Sequence, residues 1–205
     1  MSPTPAPLHF YFDFISPFGY FASLRIEELA SRHGRSVDWH SMLLGVSVLK
    51  VMGLKPLLET PLKGDYILRE ARRYMRRHGL QLKRELDAPV MDPRAAGRAF
   101  HWTKHHHPQL AAPLAHAIYH AYWAEGRDLS SADAVASISL PAGLDGNGLR
   151  EAVEGEESAK LLRAGVDASL KAGIFGSPTV VVDGEPFWGV GNLSLIDEWL
   201  STGGW

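Results

Sequence analysis

The chain has 205 residues, 45% of them hydrophobic and 10% aromatic, a composition that buries a real core and suits one large domain or a small domain with an insertion. A formal charge of −2 gives no overall pull toward nucleic acid or an anionic membrane, and no apolar run approaches the roughly 20 residues of a membrane span. The absence of cysteine excludes disulfides, thiolate nucleophiles, zinc–thiolate sites and iron–sulfur clusters. The opening stretch from Met1 to Pro7 lacks a basic region and a long apolar region. It reads as a short disordered lead-in and not a signal peptide, so a cytoplasmic location is expected.

Phe10-Tyr11-Phe12-Asp13-Phe14-Ile15 is a continuous apolar run broken once, the pattern of a buried strand. Asp13 then needs a partner, and a structural hydrogen bond or ion pair is expected ahead of catalysis. Ser16-Pro17 opens a helix, with Ser16 as N-cap and Pro17 at the first helical position. This places Ser16 at the carboxyl end of a central strand, where open α/β sheets bind ligands. The helix start favours an anion, so a hydroxyl there suits a thiolate, carboxylate or phosphate. Taken alone, Ser16 is equally a plain N-cap, worth about 0.5–2 kcal/mol of stability. The predicted helix runs from Pro17 to His33 with Ala22, Ile26, Leu29 and Ala30 on its apolar face, and Gly34 ends it. Ser36 to His40 alternates weakly and reads as a second strand, completing a βαβ unit.

From Leu43 the pattern is broken by Gly45, Gly53 and Pro56, and Pro61-Leu62-Lys63-Gly64 leads into a new helix. Ile67, Ala71, Tyr74 and Met75 form its buried stripe, while Arg69, Arg72, Arg73, Arg76 and Arg77 form a solvated basic face. After the breaks at Pro89 and Pro93 comes a histidine-rich run from His101 to His107. His101 and His105 have the i, i+4 spacing of a helical metal pair, but no carboxylate motif accompanies them, so a surface, non-ligand role is expected. Ala111, Leu114, Ala115, Ile118 and Tyr122 mark the next helix, and Ser130 or Ser131 caps a short one with Ala134, Val135 and Ile138. Another helix begins over Leu149 to Val153. A long helix from Glu156 to Ala172 buries Ala159, Leu162, Val166 and Leu170, and Gly173 closes it.

Thr179-Val180-Val181-Val182 and Glu185-Pro186-Phe187-Trp188 flank Asp183-Gly184, the strongest hairpin signal in the chain. A last helix carries Leu195, Ile196, Trp199 and Leu200. A β pattern at both ends with helices between predicts one α/β domain split by an all-helical insertion. The divisions fall at residues 8–45, 46–157 and 158–205.

This order, with Gly176-Ser177-Pro178-Thr179 before the hairpin, resembles a thioredoxin-like fold, in which a proline at this place is cis. The Cys-x-x-Cys slot of that fold is here Ser16-Pro17-Phe18-Gly19, which rules out dithiol redox chemistry. Over roughly residues 8 to 200 the chain resembles the 2-hydroxychromene-2-carboxylate isomerases and the related kappa-class glutathione transferases, a DsbA-like branch with serine in place of cysteine. The resemblance rests on Phe10 to Pro17, on Lys63-Gly64-Asp65-Tyr66 with Arg69, on Gly173 to Thr179, and on Phe187-Trp188-Gly189.

The resemblance implies that Ser16 hydrogen-bonds the sulfur of glutathione and favours its thiolate. Ser177 and Pro178 would hold the cysteinyl part by their main chain. Lys63 and Asn192 would be further cofactor contacts, and Phe18 and Trp188 would wall an aromatic substrate. In the implied isomerisation the thiolate adds reversibly to the conjugated acid, so that a carbon–carbon bond can rotate; a transferase would keep the sulfur–carbon bond. Two positions depart from the family pattern. Leu54 stands where Asn is common, and Gly191-Asn192 stands where Asp-Arg is common. Loss of the aspartate that reads the γ-glutamyl ammonium would cost about 1.5–3 kcal/mol of glutathione binding. The implied partners are an aromatic or electrophilic small molecule and a second copy in a homodimer, with no nucleic acid, membrane or metal. A kappa-like transferase, and a non-catalytic module that binds a small anionic ligand, stay open as alternatives.

Overall fold

The computed structural model describes residues 5–205; the first four positions of the lead-in lie outside the described residues. The strands are β1 (Leu8–Phe12), β2 (Val37–Ser41), β3 (Thr179–Val182) and β4 (Glu185–Trp188), in the order β2-β1-β3-β4. β2 runs parallel to β1, whereas β3 runs antiparallel to β1 and β4 antiparallel to β3. Phe10 stands opposite Trp39 on one side and Val180 on the other, so these residues share a face. That face is the core: Leu8, Phe10 and Phe12 are fully buried. The period of two sends His9, Tyr11, Asp38 and His40 to the other face, where they are half-buried.

The strand is shorter than its apolar run. It ends at Phe12, and Asp13 to Ser16 form a turn in which the Ser16 N–H donates to the Asp13 carbonyl at 3.0 Å. The helix after it is also broken, into α1 (Pro17–Ser23) and α2 (Ile26–Arg32). At the break the Ser23 hydroxyl donates to the Tyr20 carbonyl at 2.7 Å, and the Leu24 N–H reaches that carbonyl only at 3.4 Å. A serine that competes for a helix carbonyl bends or ends the helix. Gly34 follows with φ +64, the left-handed conformation that stops a helix. At the other end of the chain Asp183 (φ +53) and Gly184 (φ +93) form the tight turn between β3 and β4, which is the conformation an Asp-Gly hairpin needs.

Between β2 and β3 lie α3 (Lys63–His78), α4 (Arg94–His106), α5 (Ala111–Tyr119), α6 (Ala132–Ala136), α7 (Gly146–Glu154) and α8 (Glu156–Lys171), and α9 (Leu193–Thr202) closes the chain. Of the two candidate caps, Ser131 is the one used: its hydroxyl accepts the Ala134 N–H at 3.2 Å. The α3 stripe buries only Ala71 fully. On α8 the buried face is Ser158, Leu162, Val166 and Ser169, with the expected Ala159 and Leu170 at its margins. After α5 the helix widens into a π segment, His120–Ala124, which turns Trp123 inward. One continuous buried cluster joins the sheet to these helices, with Phe12 against Phe100 at 5.2 Å and against Tyr119 at 5.6 Å between ring centres. Among the described residues no helix is long and apolar enough to cross a membrane.

Candidate active site

Ser16 caps α1. Its Oγ accepts the Gly19 N–H at 3.0 Å and donates to the Ser177 carbonyl at 3.0 Å, and the residue is only 4% exposed. The second bond joins the end of β1 to the loop before β3, across 161 positions of sequence. The Ser177–Pro178 peptide bond is cis. The Ser177 hydroxyl accepts the Asp13 N–H at 2.9 Å, so Ser177 meets the Ser16 turn through both its carbonyl and its side chain.

Gly19 lets these groups come together. A Cβ there would lie 2.5 Å from the Tyr119 hydroxyl and 2.8 Å from Ser177 Oγ. Any side chain would push the first turn of α1 off the Ser177 loop. Tyr119 is fully buried and its hydroxyl donates to the Asp13 carbonyl at 3.0 Å. Burial, and then the nearby Asp13, push the Tyr119 hydroxyl well above its usual range, which keeps it a donor. One helical turn on, Trp123 Nε1 donates to the Phe14 carbonyl at 2.9 Å. Two of the three carbonyls between β1 and Ser16 are thus held by side chains of the helical insertion. Neither aromatic carries a motif that marks it in the sequence. The available signal was an aromatic pair at i, i+4 that continues the Leu114, Ala115, Ile118 stripe.

Asp13, three residues before Ser16, is fully buried. Its Oδ1 accepts the Ile15 N–H at 3.2 Å and its Oδ2 the Leu44 N–H at 2.7 Å. No cation pairs with it among the described residues, so the expected partner is backbone. Burial raises its carboxyl from 3.8 to about 7, against those N–H groups.

The other predicted positions are more dispersed. Phe18 is half-buried and packs edge-on against Phe21 at 5.8 Å. Trp188 is 55% exposed and lies against Phe175 at 4.9 Å. Its indole fills the space beside Gly176, where a Cβ would come within 2.3 Å of Nε1. Phe175 in turn accepts a hydrogen bond through its carbonyl from the Ser47 hydroxyl at 3.3 Å, joining the segment after β2 to the Ser177 loop. Leu49, Val51, Met52, Leu54, Leu57 and Leu58 of that segment are exposed. Lys63 is exposed at the start of α3; the Leu62 before it has φ +67 and is 90% exposed. The Lys63 N–H donates to the Pro61 carbonyl at 2.8 Å, closing a rare γ-turn. Asn192 occupies the N-cap position of α9, but its side chain does not cap it. Nδ2 donates instead to the Trp188 carbonyl at 2.7 Å. His101, expected at the surface, is half-buried, with Nε2 at 2.9 Å from the Ser41 carbonyl.

The structure therefore brings Ser16, Ser177 and Pro178 together, and it joins Trp188 to Asn192. Among the described residues, Lys63 makes no side-chain hydrogen bond to either group, and the Phe18 ring packs on Phe21 instead. A hydroxyl fixed between a helix start and an inward-facing carbonyl can hold a sulfur or oxygen anion once it turns away from that carbonyl.

The chain is 25% identical over 192 residues to a 2-hydroxychromene-2-carboxylate isomerase of Pseudomonas putida, covering 92% of this chain and 91% of that one. It is 24% identical over 194 residues to the isomerase of the same name from Sphingobium xenophagum, with coverage of 94% and 97%. A solved 2-hydroxychromene-2-carboxylate isomerase superposes with a TM-score of 0.77 at 22% identity, over 95% of this chain and 94% of that one. Residues 7–201 match the family described as the DSBA-like thioredoxin domain, and the chain belongs to that family.

Proposed function

We propose that this protein is an isomerase of 2-hydroxychromene-2-carboxylate-like aromatic acids that works with a thiol cofactor, glutathione, held at Ser16. The observation that carries the reading is the bond from Ser16 Oγ to the Ser177 carbonyl at 3.0 Å, in a chain whose full-length relatives bear that isomerase name. The pairing sets a hydroxyl and an α-helix start beside the main chain before Pro178. It suits the cysteinyl end of glutathione. At the γ-glutamyl end the chain offers Gly191 and the Asn192 amide in place of an acidic side chain, which predicts weaker binding than the family pattern would give.

When bound, the thiol supplies a reversible addition that lets a conjugated carbon–carbon bond rotate. Everything else falls to the chain. Ser16 would donate a hydrogen bond from its hydroxyl to the sulfur and so favour the thiolate, helped by the N–H groups of the first turn of α1. The Ser177 carbonyl, freed when the Ser16 hydroxyl turns to the sulfur, would accept from an extended ligand backbone. Trp188, Phe175 and the exposed leucines of the segment after β2 offer apolar surface to an aromatic ring. Pro17 has no N–H, and Phe18 covers the side of α1 nearest Phe21.

Calorimetric titration with glutathione tests the cofactor. Saturable binding that weakens by at least about tenfold in Ser16→Ala is expected, the loss of one charge-assisted hydrogen bond. Absence of heat up to millimolar glutathione would exclude glutathione at this site. Following the absorbance of 2-hydroxychromene-2-carboxylate with and without thiol then tests the reaction.

A further inference from the structure

The sheet face turned away from the core carries polar residues that the Ser16 site does not use. His9 stands opposite Asp38 across the parallel β1–β2 pair, and His40 lies two residues further along β2. With a period of two, all three project from the same face. Their donor atoms converge. His9 Nδ1 is 3.1 Å from His40 Nε2, His40 Nε2 is 3.0 Å from Asp38 Oδ2, and His9 Nδ1 is 3.5 Å from the same oxygen.

We propose that His9, Asp38 and His40 form a binding site for a zinc-class divalent transition-metal ion. A zinc ion with bonds of about 2.0–2.1 Å in tetrahedral geometry separates its ligand atoms by roughly 3.3 Å, which matches this triangle without movement of the backbone. Two imidazole nitrogens with one carboxylate oxygen select zinc, cobalt, nickel or copper over magnesium or calcium, which take oxygen. The second oxygen of Asp38 is held by Lys104 Nζ at 2.6 Å, and Lys104 also donates to the Trp39 carbonyl at 2.6 Å. This is the outer-shell bond that fixes how a ligating carboxylate is turned. Tyr11 stacks on the His40 ring at 4.6 Å and holds its plane. The side chains of His9, Asp38 and His40 remain 41%, 35% and 26% exposed, so an ion has a route in and a position left for water or a small ligand. The site lies toward the start of β1, whereas Ser16 follows its end. A bound ion would tie the edge strand β2 to β1.

A second cluster provides the control. His105, His106 and Glu157 also lie within reach of one ion, but all three residues are exposed; His106 and Glu157 hydrogen-bond at 3.2 Å, and the His105 and His106 rings pack edge-on at 4.8 Å. The experiment uses the full chain stripped of metal by a chelator and titrated with Co2+ and with Zn2+. Co2+ reports coordination by its visible absorption, and Zn2+ by competition and by the rise in thermal midpoint that any ligand of the native state produces. One equivalent is expected to bind the wild type and the His105→Ala/His106→Ala double variant alike. His9→Ala and His40→Ala should each weaken it by more than the roughly 10–100-fold that loss of an outer-shell partner costs. Paramagnetic shifts from Co2+ in the wild type, falling on the rings of His9 and His40, locate the ion without relying on any variant. Binding that survives His9→Ala and disappears in the double variant would overturn the proposal, as would shifts confined to His105 and His106, or no binding up to millimolar ion.

Discussion

At the scale of single residues, Asp13 shows how a polar group is kept inside a strand end. Its carboxylate makes two bonds to backbone N–H groups and meets no cation among the described residues, and burial outweighs those bonds. The native carboxyl therefore keeps its proton up to about pH 7, while the unfolded one loses it near 3.8. Between those values the native state binds more protons than the unfolded state, so stability is full below the window and falls as pH rises through it. Urea denaturation of the wild type and Asp13→Asn, compared from about pH 4 to about pH 8, isolates this group. The wild type is expected to lose stability relative to the variant as pH rises. A difference that stays constant, or that moves the other way, would rule out a raised Asp13 pKa. The need for a partner was legible in the sequence, because a charge interrupts an apolar run. The identity of the partner was not, since Leu44 lies 31 positions away and donates from its backbone, which no residue type advertises.

At the scale of elements, α4 covers the open edge of β2. His101 meets the Ser41 carbonyl, and Lys104 meets that of Trp39, so the edge is closed to pairing with another strand. α4 reaches this position because α8 lets it in. A Cβ on Gly165 would lie 2.1 Å from the His101 ring, and one on Gly97 would lie 2.9 Å from Leu162 Cδ1. Gly165→Ala is expected to cost about 1–3 kcal/mol by forcing the two helices apart. Combined with His101→Ala, which makes room, the cost should be less than the sum of the two single changes. Strict additivity in a double-mutant cycle would show that the ring and the glycine do not press on each other. The sequence places His101 at the surface because no carboxylate motif accompanies its i, i+4 pair with His105, and helical periodicity alone cannot say that a second helix passes within contact of one polar position. The break between α1 and α2 was hidden for a similar reason. The apolar face continues through it, and only the bond from Ser23 to the Tyr20 carbonyl shows that the helix stops.

At the scale of the whole molecule, the helical insertion is bound into the sheet and does not sit apart from it. Tyr119 and Trp123 donate to the carbonyls of Asp13 and Phe14, and Phe100 and Tyr119 pack on Phe12. One buried cluster runs through both parts. Unfolding should therefore be a single transition, with tryptophan fluorescence and far-ultraviolet circular dichroism giving the same midpoint. Two separated transitions would mean that the insertion holds together without the sheet. The sequence by itself determined the α/β class, the hairpin at Asp183-Gly184, the cap at Ser16 and the thioredoxin-like order, because local periodicity, turn chemistry and capping act over a few residues. Only the tertiary structure decided what meets what. The approach of Ser177 to Ser16, the two aromatic donors behind the site, the Leu44 partner of Asp13 and the meeting of His9 with His40 all join residues that are 31 or more positions apart. Such contacts follow from how packed elements cross, and no pattern within a single segment encodes that.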